Sequence, residues 1–185
     1  SKGVYIHDIV AITFTNKAAN EMKDRVSEFS PVDGDRANIS TFHSFCYRMI
    51  REEMDYWGLK SIRICNDTQA RKLLKEAAEY VGREINRGMQ SSIEKLKNRL
   101  IYPGHKSLGK DRIRPVYVKY QKLLAQCRLF DFNDLISQAV IMLQEDLGRR
   151  EKYQKRYRYL IVDEFQDVNN AQFEFVKALH NPKRN

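Results

Sequence analysis

Two adjacent acids, Asp163 and Glu164, follow a short apolar run in the sequence YLIVDEFQD (159–167). An apolar, β-branched run of this length predicts a buried strand, so the acids stand where that strand ends. Ligands of α/β sheets bind at the carboxyl ends of parallel strands, where an acid is suited to hold the magnesium ion of a nucleotide. The pair is a weak signal by itself, because many strands end in an acid that only caps a turn.

The elements that must position these acids alternate between strands and helices at the start of the chain. The pattern predicts a strand at 9–14, a helix at 15–29, a loop at 30–35, a strand at 37–42 and a helix at 43–57. Thr15 or Asn16 is suited to cap the first of these helices. Strand, helix, strand and helix in this order are typical of an α/β protein with a parallel sheet.

The middle of the chain has a different character, since its periodicity is helical and no strand alternation is visible. Helices are predicted at 66–81, 91–102 and 113–130, with a polar loop at 103–111. The last part is predicted to hold a helix at 131–147 capped by Asp131, a basic patch at 149–158, a strand at 159–164 and a helix at 169–180. We therefore expect a core at 1–59 and 131–185, interrupted by an all-helical insertion at 60–130.

The charge of the chain is concentrated in that helical middle. Of 33 basic and 24 acidic residues, 12 basic and 3 acidic residues lie between Arg83 and Arg128, so this segment carries the whole net charge of +9. Such a segment is suited to a polyanion, although a solvated basic helix surface would have the same composition. If the segment binds DNA, charge reversal at Lys95, Lys97 and Arg99 should flatten the salt dependence of binding.

The composition excludes several other classes of protein. A hydrophobic fraction of 42% over 185 residues is sufficient for a folded core, and no apolar run reaches the length of a membrane span. The three cysteines are widely spaced and form no CxxC pair, which indicates neither a zinc site nor a disulfide framework. We expect a cytoplasmic protein with reduced, buried or neutral thiols and no membrane partner.

Four sequence motifs, taken in their order along the chain, favour a functional role for the acidic pair. They are Phe-Thr-Asn-Lys-Ala-Ala at 14–19, Ser-Thr-Phe-His-Ser at 40–44, Asp-Phe-Asn-Asp-Leu-Ile at 131–136 and Asp-Glu-Phe-Gln-Asp at 163–167. Together they resemble the superfamily 1 DNA helicases of the UvrD/Rep/PcrA type. The resemblance implies an incomplete RecA-like parallel sheet with flanking helices, interrupted by the helical insertion of the first motor domain. It also implies a parent enzyme that uses ATP and Mg²⁺ and acts on single-stranded DNA and duplex junctions.

The resemblance implies a role for each motif residue. Asp163 would hold magnesium through water, Glu164 would activate the hydrolytic water, and Gln166 and Asp167 would couple the nucleotide site to DNA. The residues implied to contact single-stranded DNA are Phe14, Thr15, Asn16, Thr41 and His43. We interpret Asp131 and Asp134 as structural, as a helix cap and a polar anchor.

The DNA-contacting roles are chemically reasonable, and each has a structural alternative. A phenylalanine at a strand end stacks on a base of any sequence, and Thr, Asn and His side chains near a helix start bind phosphate oxygens. The structural alternatives are that Phe14 is a core residue, that Asn16 is only a helix cap, and that His43 is a helix-start residue bonded to the backbone.

The phosphate-binding loop of such a motor is missing from these residues. The pattern GxxxxGK[ST] occurs nowhere, and the one Gly-Lys pair, Gly109-Lys110, is followed by Asp111 inside the helical middle. We therefore expect an excised piece of a longer helicase that does not hydrolyse ATP by itself. Two alternatives remain open: a non-catalytic single-stranded DNA-binding module, and the motor part of a helicase-nuclease.

Overall fold

A computed structural model describes residues 3–109 and 111–181, apart from the side chains of Asp35 and Arg87. Lys110 of the Gly-Lys pair therefore lies outside the described residues. The strands are β1 (Ile9–Thr13), β2 (Asn38–Thr41), β3 (Arg63–Ile64), β4 (Leu129–Phe130) and β5 (Tyr159–Val162). The α-helices are α1 (Asn16–Phe29), α2 (Pro31–Arg36), α3 (Phe42–Glu52), α4 (Asp67–Tyr80), α5 (Arg87–Asn98), α6 (Arg114–Gln126), α7 (Phe132–Glu145), α8 (Leu147–Arg156) and α9 (Asn170–Leu179).

The chain divides into two compact units, and the first unit consists of two separate stretches of sequence. Ser1–Met49 and Ala139–Asn185 form the first unit, and Ile50–Gln138 form the second. The first unit contains a parallel sheet with helices and the second is mainly helical, so the predicted α/β class with an incomplete RecA-like sheet is confirmed. The boundaries of a core and an insertion at 59/60 and 130/131 remain a prediction.

The sheet of the first unit has the strand order β2-β1-β5, and both neighbours of β1 run parallel to it. The central strand is apolar on both faces, and Val10 and Ile12 are completely buried. Ala11 packs with Ile39 of β2 and Ala19 of α1, where small side chains let the helix lie close to the sheet. Parallel pairing requires a crossover between strands, and α1 and α2 together provide it between β1 and β2.

The second unit has its own core, built by α4, α5 and α6 around a pair of two-residue parallel strands, β3 and β4. Leu74 and Ala77 of α4 pack with Val116, Tyr120 and other residues of α6. The apolar residues recur at helical spacing on each helix, so each helix presents one stripe to this core. This unit is therefore held by its own packed interior.

Several predicted elements differ from the structure. Residues 30–35 are not a loop, because Pro31 starts α2 at a position where proline is favoured. The helix predicted at 43–57 ends at Glu52 and continues as the 3-10 helix Met54–Trp57. The basic patch at 149–158 is mostly helical and belongs to α8.

The end of the helix predicted at 113–130 is also different. Helix α6 stops at Gln126, and the left-handed Arg128, with φ 54°, turns the chain into β4. A strand of two residues is too short to show an alternating pattern, so β3 and β4 could not be predicted from periodicity.

The structure tests two expectations that came from composition. All three cysteines are free; Cys46 and Cys65 are buried, and Cys127 is exposed. Burial raises the pKa of Cys65 to about 11, so this thiol is neutral at physiological pH, as expected. Within residues 3–109 and 111–181, no helix combines the length and apolar character needed to cross a membrane.

Candidate nucleotide and nucleic-acid site

Three of the four motifs meet at one edge of the sheet in the first unit. Thr13 at the end of β1 lies opposite Thr41 at the end of β2, and Ile12 lies opposite Val162 of β5. Because all three strands are parallel, the segments that follow them leave the sheet at the same edge. The structure therefore brings 14–16, 41–43 and 163–167 together at one edge of the sheet.

Asp163 is anchored to the central strand by its backbone. Its N–H donates to the carbonyl oxygen of Ile12 over 2.9 Å, which extends the pairing of β1 and β5 by one step. The side chain is half-buried, and its Oδ1 atom accepts the N–H of Glu164 over 3.1 Å. The Oδ1 atom of Asp163 is therefore held by the peptide N–H of Glu164.

Glu164 has an unusual backbone conformation. Its φ of 48° and ψ of 45° are left-handed, a region that costs a residue with a side chain about 1–3 kcal/mol. Strain of this kind tends to lie at functional sites, where the direction of a side chain matters more than local stability. The sequence held no signal for this conformation, since left-handed residues are usually glycine or asparagine.

Gln166 and Asp167 lie in the short 3-10 helix that follows Glu164. The Gln166 side-chain amide donates a hydrogen bond to the Glu164 Oε2 atom, and the Asp167 N–H donates to the Glu164 carbonyl oxygen over 2.9 Å. All three side chains are exposed. The side chain of Gln166 is therefore bonded directly to that of Glu164, two residues before it.

The segment after β1 combines one aromatic and two polar residues. Phe14 is half-buried, and its ring meets the edge of Phe42 at a centroid distance of 5.7 Å. Thr15 is the N-cap of α1, because its hydroxyl accepts the N–H of Ala18 over 3.1 Å. Asn16 is the first helical residue and is exposed. Of the two candidate caps, the structure selects Thr15 and leaves the Asn16 amide facing solvent.

The segment after β2 is more buried. The Thr41 hydroxyl donates to Ser44 Oγ over 3.0 Å and accepts the N–H of Ser44 over 3.2 Å, so Thr41 fixes the start of α3. Burial lowers the pKa of His43 to about 4, which leaves its ring neutral at pH 7. His43 is therefore suited to hydrogen bonding and not to charge neutralisation.

Asp163 suits a magnesium ion that takes most of its ligands from elsewhere. Magnesium prefers oxygen ligands, usually keeps several waters and is often bound through one or two carboxylates plus substrate phosphates. Asp163 offers one such carboxylate at the sheet edge, and the described residues contain no group of three or more His, Cys, Asp or Glu that could hold a metal alone. A single carboxylate would leave the other positions of the ion to waters and phosphate oxygens.

The fourth motif lies in the second unit and has a structural role. Asp131 and Asp134 cap each other reciprocally at the start of α7: Asp134 N–H donates to Asp131 Oδ1 over 2.9 Å, and Asp131 N–H to Asp134 Oδ2 over 3.1 Å. Lys97 Nζ lies 2.6 Å from Asp131 Oδ2 and 2.7 Å from Asp134 Oδ1. Tyr120 also donates to Asp131 Oδ2 over 2.9 Å. The interpretation of a cap and a polar anchor is confirmed.

The position of Lys97 corrects its assignment to a basic surface. It is only 2% exposed, whereas Lys95 and Arg99 on either side are exposed. Burial by itself lowers the pKa of Lys97, but the attraction of Asp134 and Asp131 outweighs it and raises the pKa overall. Lys97 therefore remains charged inside the unit and is not available to a polyanion, while Lys95 and Arg99 remain accessible.

Comparison with known proteins gives a clear family assignment. A family model described as the UvrD/REP helicase N-terminal domain matches residues 1–185. The ATP-dependent DNA helicase UvrD1 of Mycobacterium bovis is 36% identical over 196 residues, which cover 97% of this chain and 25% of that protein. The ATP-dependent DNA helicase Rep of Salmonella typhimurium is 37% identical over 187 residues, covering 96% of this chain and 28% of that protein.

A third relative, the ATP-dependent DNA helicase PcrA of Staphylococcus epidermidis, is 33% identical over 194 residues, covering the whole chain and 27% of that protein. A parallel α/β sheet with two acids after one of its strands places the chain in the class of α/β proteins that bind ligands at the carboxyl ends of their strands. Within that class, the chain belongs to the UvrD/REP helicase N-terminal domain family. It spans about a quarter of the length of these curated relatives.

Proposed function

We propose that this chain is part of the ATP-driven motor of a DNA helicase that moves on single-stranded DNA and opens duplex junctions. The observation that carries the proposal is the shared sheet edge, where 14–16, 41–43 and 163–167 follow three adjacent parallel strands. The names of the relatives, which are all ATP-dependent DNA helicases, support the same activity for a longer protein that contains this chain.

On the nucleotide side, the two acids have separate tasks in this proposal. Asp163 would hold magnesium through water, and the bound ion would neutralise charge on the phosphates. Glu164 orients the attacking water and takes its proton as a general base. Its left-handed backbone sets the direction of the carboxylate, and the hydrogen bond from Gln166 restricts its rotation.

On the DNA side, the proposal combines stacking with phosphate contacts. The exposed part of the Phe14 ring stacks on a base, while Phe42 supports the ring from its edge. Asn16 and the first amides of α1 take phosphate oxygens, as does the neutral ring of His43. Thr41, whose hydroxyl proton is donated to Ser44, supports this contact by fixing the start of α3. None of these contacts reads a base edge, which suits movement along a strand of any sequence.

A direct backbone link joins the two sides. The Asp163 N–H is bonded to Ile12, two residues before Phe14, and Glu164 and Gln166 are bonded within the next turn. A displacement of the 163–167 turn on nucleotide binding or release therefore acts on the end of β1. We assign the coupling of ATP hydrolysis to DNA movement to Gln166 and Asp167 on this basis.

The test measures ATP hydrolysis, with and without single-stranded DNA, for this chain and for the gene product read from its own start codon to its own stop codon. We expect DNA-stimulated turnover only in the longer protein, because the 185 residues contain no GxxxxGK[ST] loop to cradle the phosphates. If the gene product ends where this chain ends and binds DNA without hydrolysing ATP, the non-catalytic DNA-binding module is the correct function.

Two substitutions in the longer protein separate the assigned roles. Glu164→Gln should lower turnover by about 10²–10⁴-fold while DNA affinity is kept, whereas Glu151→Gln on α8 removes the same charge and should leave turnover unchanged. Phe14→Ala should weaken single-strand affinity by roughly 5–150-fold, and Phe29→Ala, which truncates a 91% exposed ring, should not. Retained turnover in Glu164→Gln contradicts its role as the base.

A further inference from the structure

Helix α6 in the second unit carries basic charge that its own sequence does not neutralise. No Asp or Glu occurs from Arg112 to Phe130, a stretch that includes the whole of α6. Other helices balance their lysines locally: Lys75 pairs with Glu79 on α4 at 3.7 Å, and Lys155 with Glu151 on α8 at 3.4 Å. An unbalanced helix keeps a positive potential that attracts an anionic partner.

That charge borders a groove between the end of α4 and the start of α6. The groove has a volume of about 550 Å³ and is lined by Tyr80, Val81, Gly109, Asp111, Arg114, Pro115, Val118, Lys119 and Lys122. Its three cations outnumber its one acid, and its remaining surface is aromatic, aliphatic or backbone. The three cations, Tyr80, Pro115 and Val118 are not members of the packed core of the unit, whereas Val81 contributes to both the core and the groove.

Tyr80 makes the groove more than a basic patch. It is the last residue of α4, and 72% of its surface is exposed. Lys119 Nζ lies 3.6 Å from the centre of the tyrosine ring, so a cation covers one face and holds the ring. Arg114 is held at the other end of the groove, where its Nη1 donates to the Gly109 carbonyl oxygen over 2.8 Å.

We propose that the groove between α4 and α6 binds single-stranded nucleic acid, with Tyr80 stacking on a base and Lys119 and Lys122 contacting phosphates. An ordered aromatic ring beside several cations is the combination that binds single strands without sequence preference. The inference rests on the proposed function in naming nucleic acid as the partner. It goes beyond that function because it assigns a second contact, in the helical unit, separate from the motif residues.

The apolar floor favours a single strand over a duplex. In a duplex the bases are stacked on one another, so a protein outside the grooves meets mainly phosphate and sugar. Pro115, Val118 and the free face of Tyr80 would gain nothing from phosphates. They gain contact area only from bases that are already unstacked.

The first test compares two double variants of this chain that lose the same charge. Lys119→Gln/Lys122→Gln alters the groove, and Lys72→Gln/Lys75→Gln alters exposed lysines elsewhere on α4. Binding of a fluorescent oligothymidine is measured by anisotropy over a range of salt concentrations. Removing two phosphate contacts should lower the slope of log affinity against log salt by about 1.4 for the groove variant only.

The second test concerns the stacking residue. Tyr80→Ala should weaken oligothymidine binding by at least about fivefold, and Tyr80→Phe should retain wild-type affinity because the ring is kept. Ultraviolet crosslinking of an iododeoxyuridine oligonucleotide, followed by peptide mapping, should label Tyr80. Circular dichroism of each variant checks that the helices remain folded.

The outcomes separate this inference from the proposed function. Equal salt slopes for the two double variants, or no loss in Tyr80→Ala, overturn the groove, while a loss in Phe14→Ala still supports the site at the sheet edge. Failure of the chain to bind oligothymidine at all also overturns the groove. If a blunt duplex binds equally tightly with the same dependence on Lys119 and Lys122, the assignment to a single strand is wrong.

Discussion

Replacing Lys97 by methionine tests the buried ion cluster of the second unit. Methionine keeps most of the length and volume of the side chain but removes the charge that lies 2.6 Å from Asp131 and 2.7 Å from Asp134. Both carboxylates are nearly inaccessible, with 9% and 3% of their surface exposed. The change therefore leaves two acids inside the unit without their shared cation.

The expected cost is large because two buried carboxylates lose the cation that neutralises them. Removing one partner of a buried ion pair typically costs about 3–5 kcal/mol, and domains of this kind are stable by only about 5–15 kcal/mol. Lys95→Met, two residues earlier on the exposed face of α5, should change the free energy of unfolding by less than about 0.5 kcal/mol. The comparison isolates burial, since both variants replace lysine by methionine on one helix.

Urea denaturation at pH 7, followed by circular dichroism, measures both free energies of unfolding. The cost of Lys97→Met should become smaller at pH 5, because burial already raises the pKa of Asp134 and loss of the cation raises it further, so this acid takes up a proton. Equal stabilities of the two variants would refute the reasoning and return Lys97 to the accessible basic surface. A cost that is the same at both pH values would contradict the role assigned to Asp134.

Three further perturbations test local features of the first unit by urea denaturation. Glu164→Gly should be more stable than Glu164→Ala by about 1 kcal/mol because glycine tolerates the left-handed backbone; at Glu151, inside α8, the order should reverse. His43 has its pKa lowered to about 4, so the unfolded chain binds its proton first and stability falls below pH 6.5; His43→Gln should remove about 1–2 kcal/mol of the loss between pH 7 and pH 5. Thr15→Ala should cost about 1 kcal/mol through loss of the α1 cap, whereas Thr15→Ser should cost little. An unchanged order at Glu164, an unchanged pH dependence or an equal cost for both Thr15 variants would contradict these assignments.

The shared edge of the sheet could be predicted from the sequence because a short local stretch of residues indicates each of its three strands. The runs 9–14, 37–42 and 159–164 are short and rich in strand-forming residues, and the motif residues stand at or just after the end of each run. Once parallel pairing is assumed, the ends of such strands must share an edge. The strand order β2-β1-β5 fulfils that expectation, and this is why 163–167 meets 14–16 and 41–43 although more than 100 residues lie between them in the sequence.

Other features depend on residues that are distant in the sequence, so local sequence patterns could not predict them. Lys97 is one lysine among many in a basic segment, and only the folded unit reveals that it is buried with Asp131 and Asp134. The left-handed backbone of Glu164 is set by the turn that contains it and not by its residue type. The groove joins Tyr80 to Lys119, which are far apart in the sequence, and the only local sign was the absence of acids from 112 to 130.

The burial of Lys97 reduces the number of cations in the second unit that can contact a nucleic acid. The net charge of the segment from Arg83 to Arg128 is larger than its accessible charge, because Lys97 is neutralised by Asp131 and Asp134, which lie outside the segment. What remains is not spread evenly: Arg114, Lys119 and Lys122 border one groove that also exposes Tyr80. A polyanion attracted by the field of the whole segment therefore finds one surface where bases as well as phosphates gain contacts. For this reason, the position of charges relative to aromatic surface, more than their number, determines where this unit should hold a single strand.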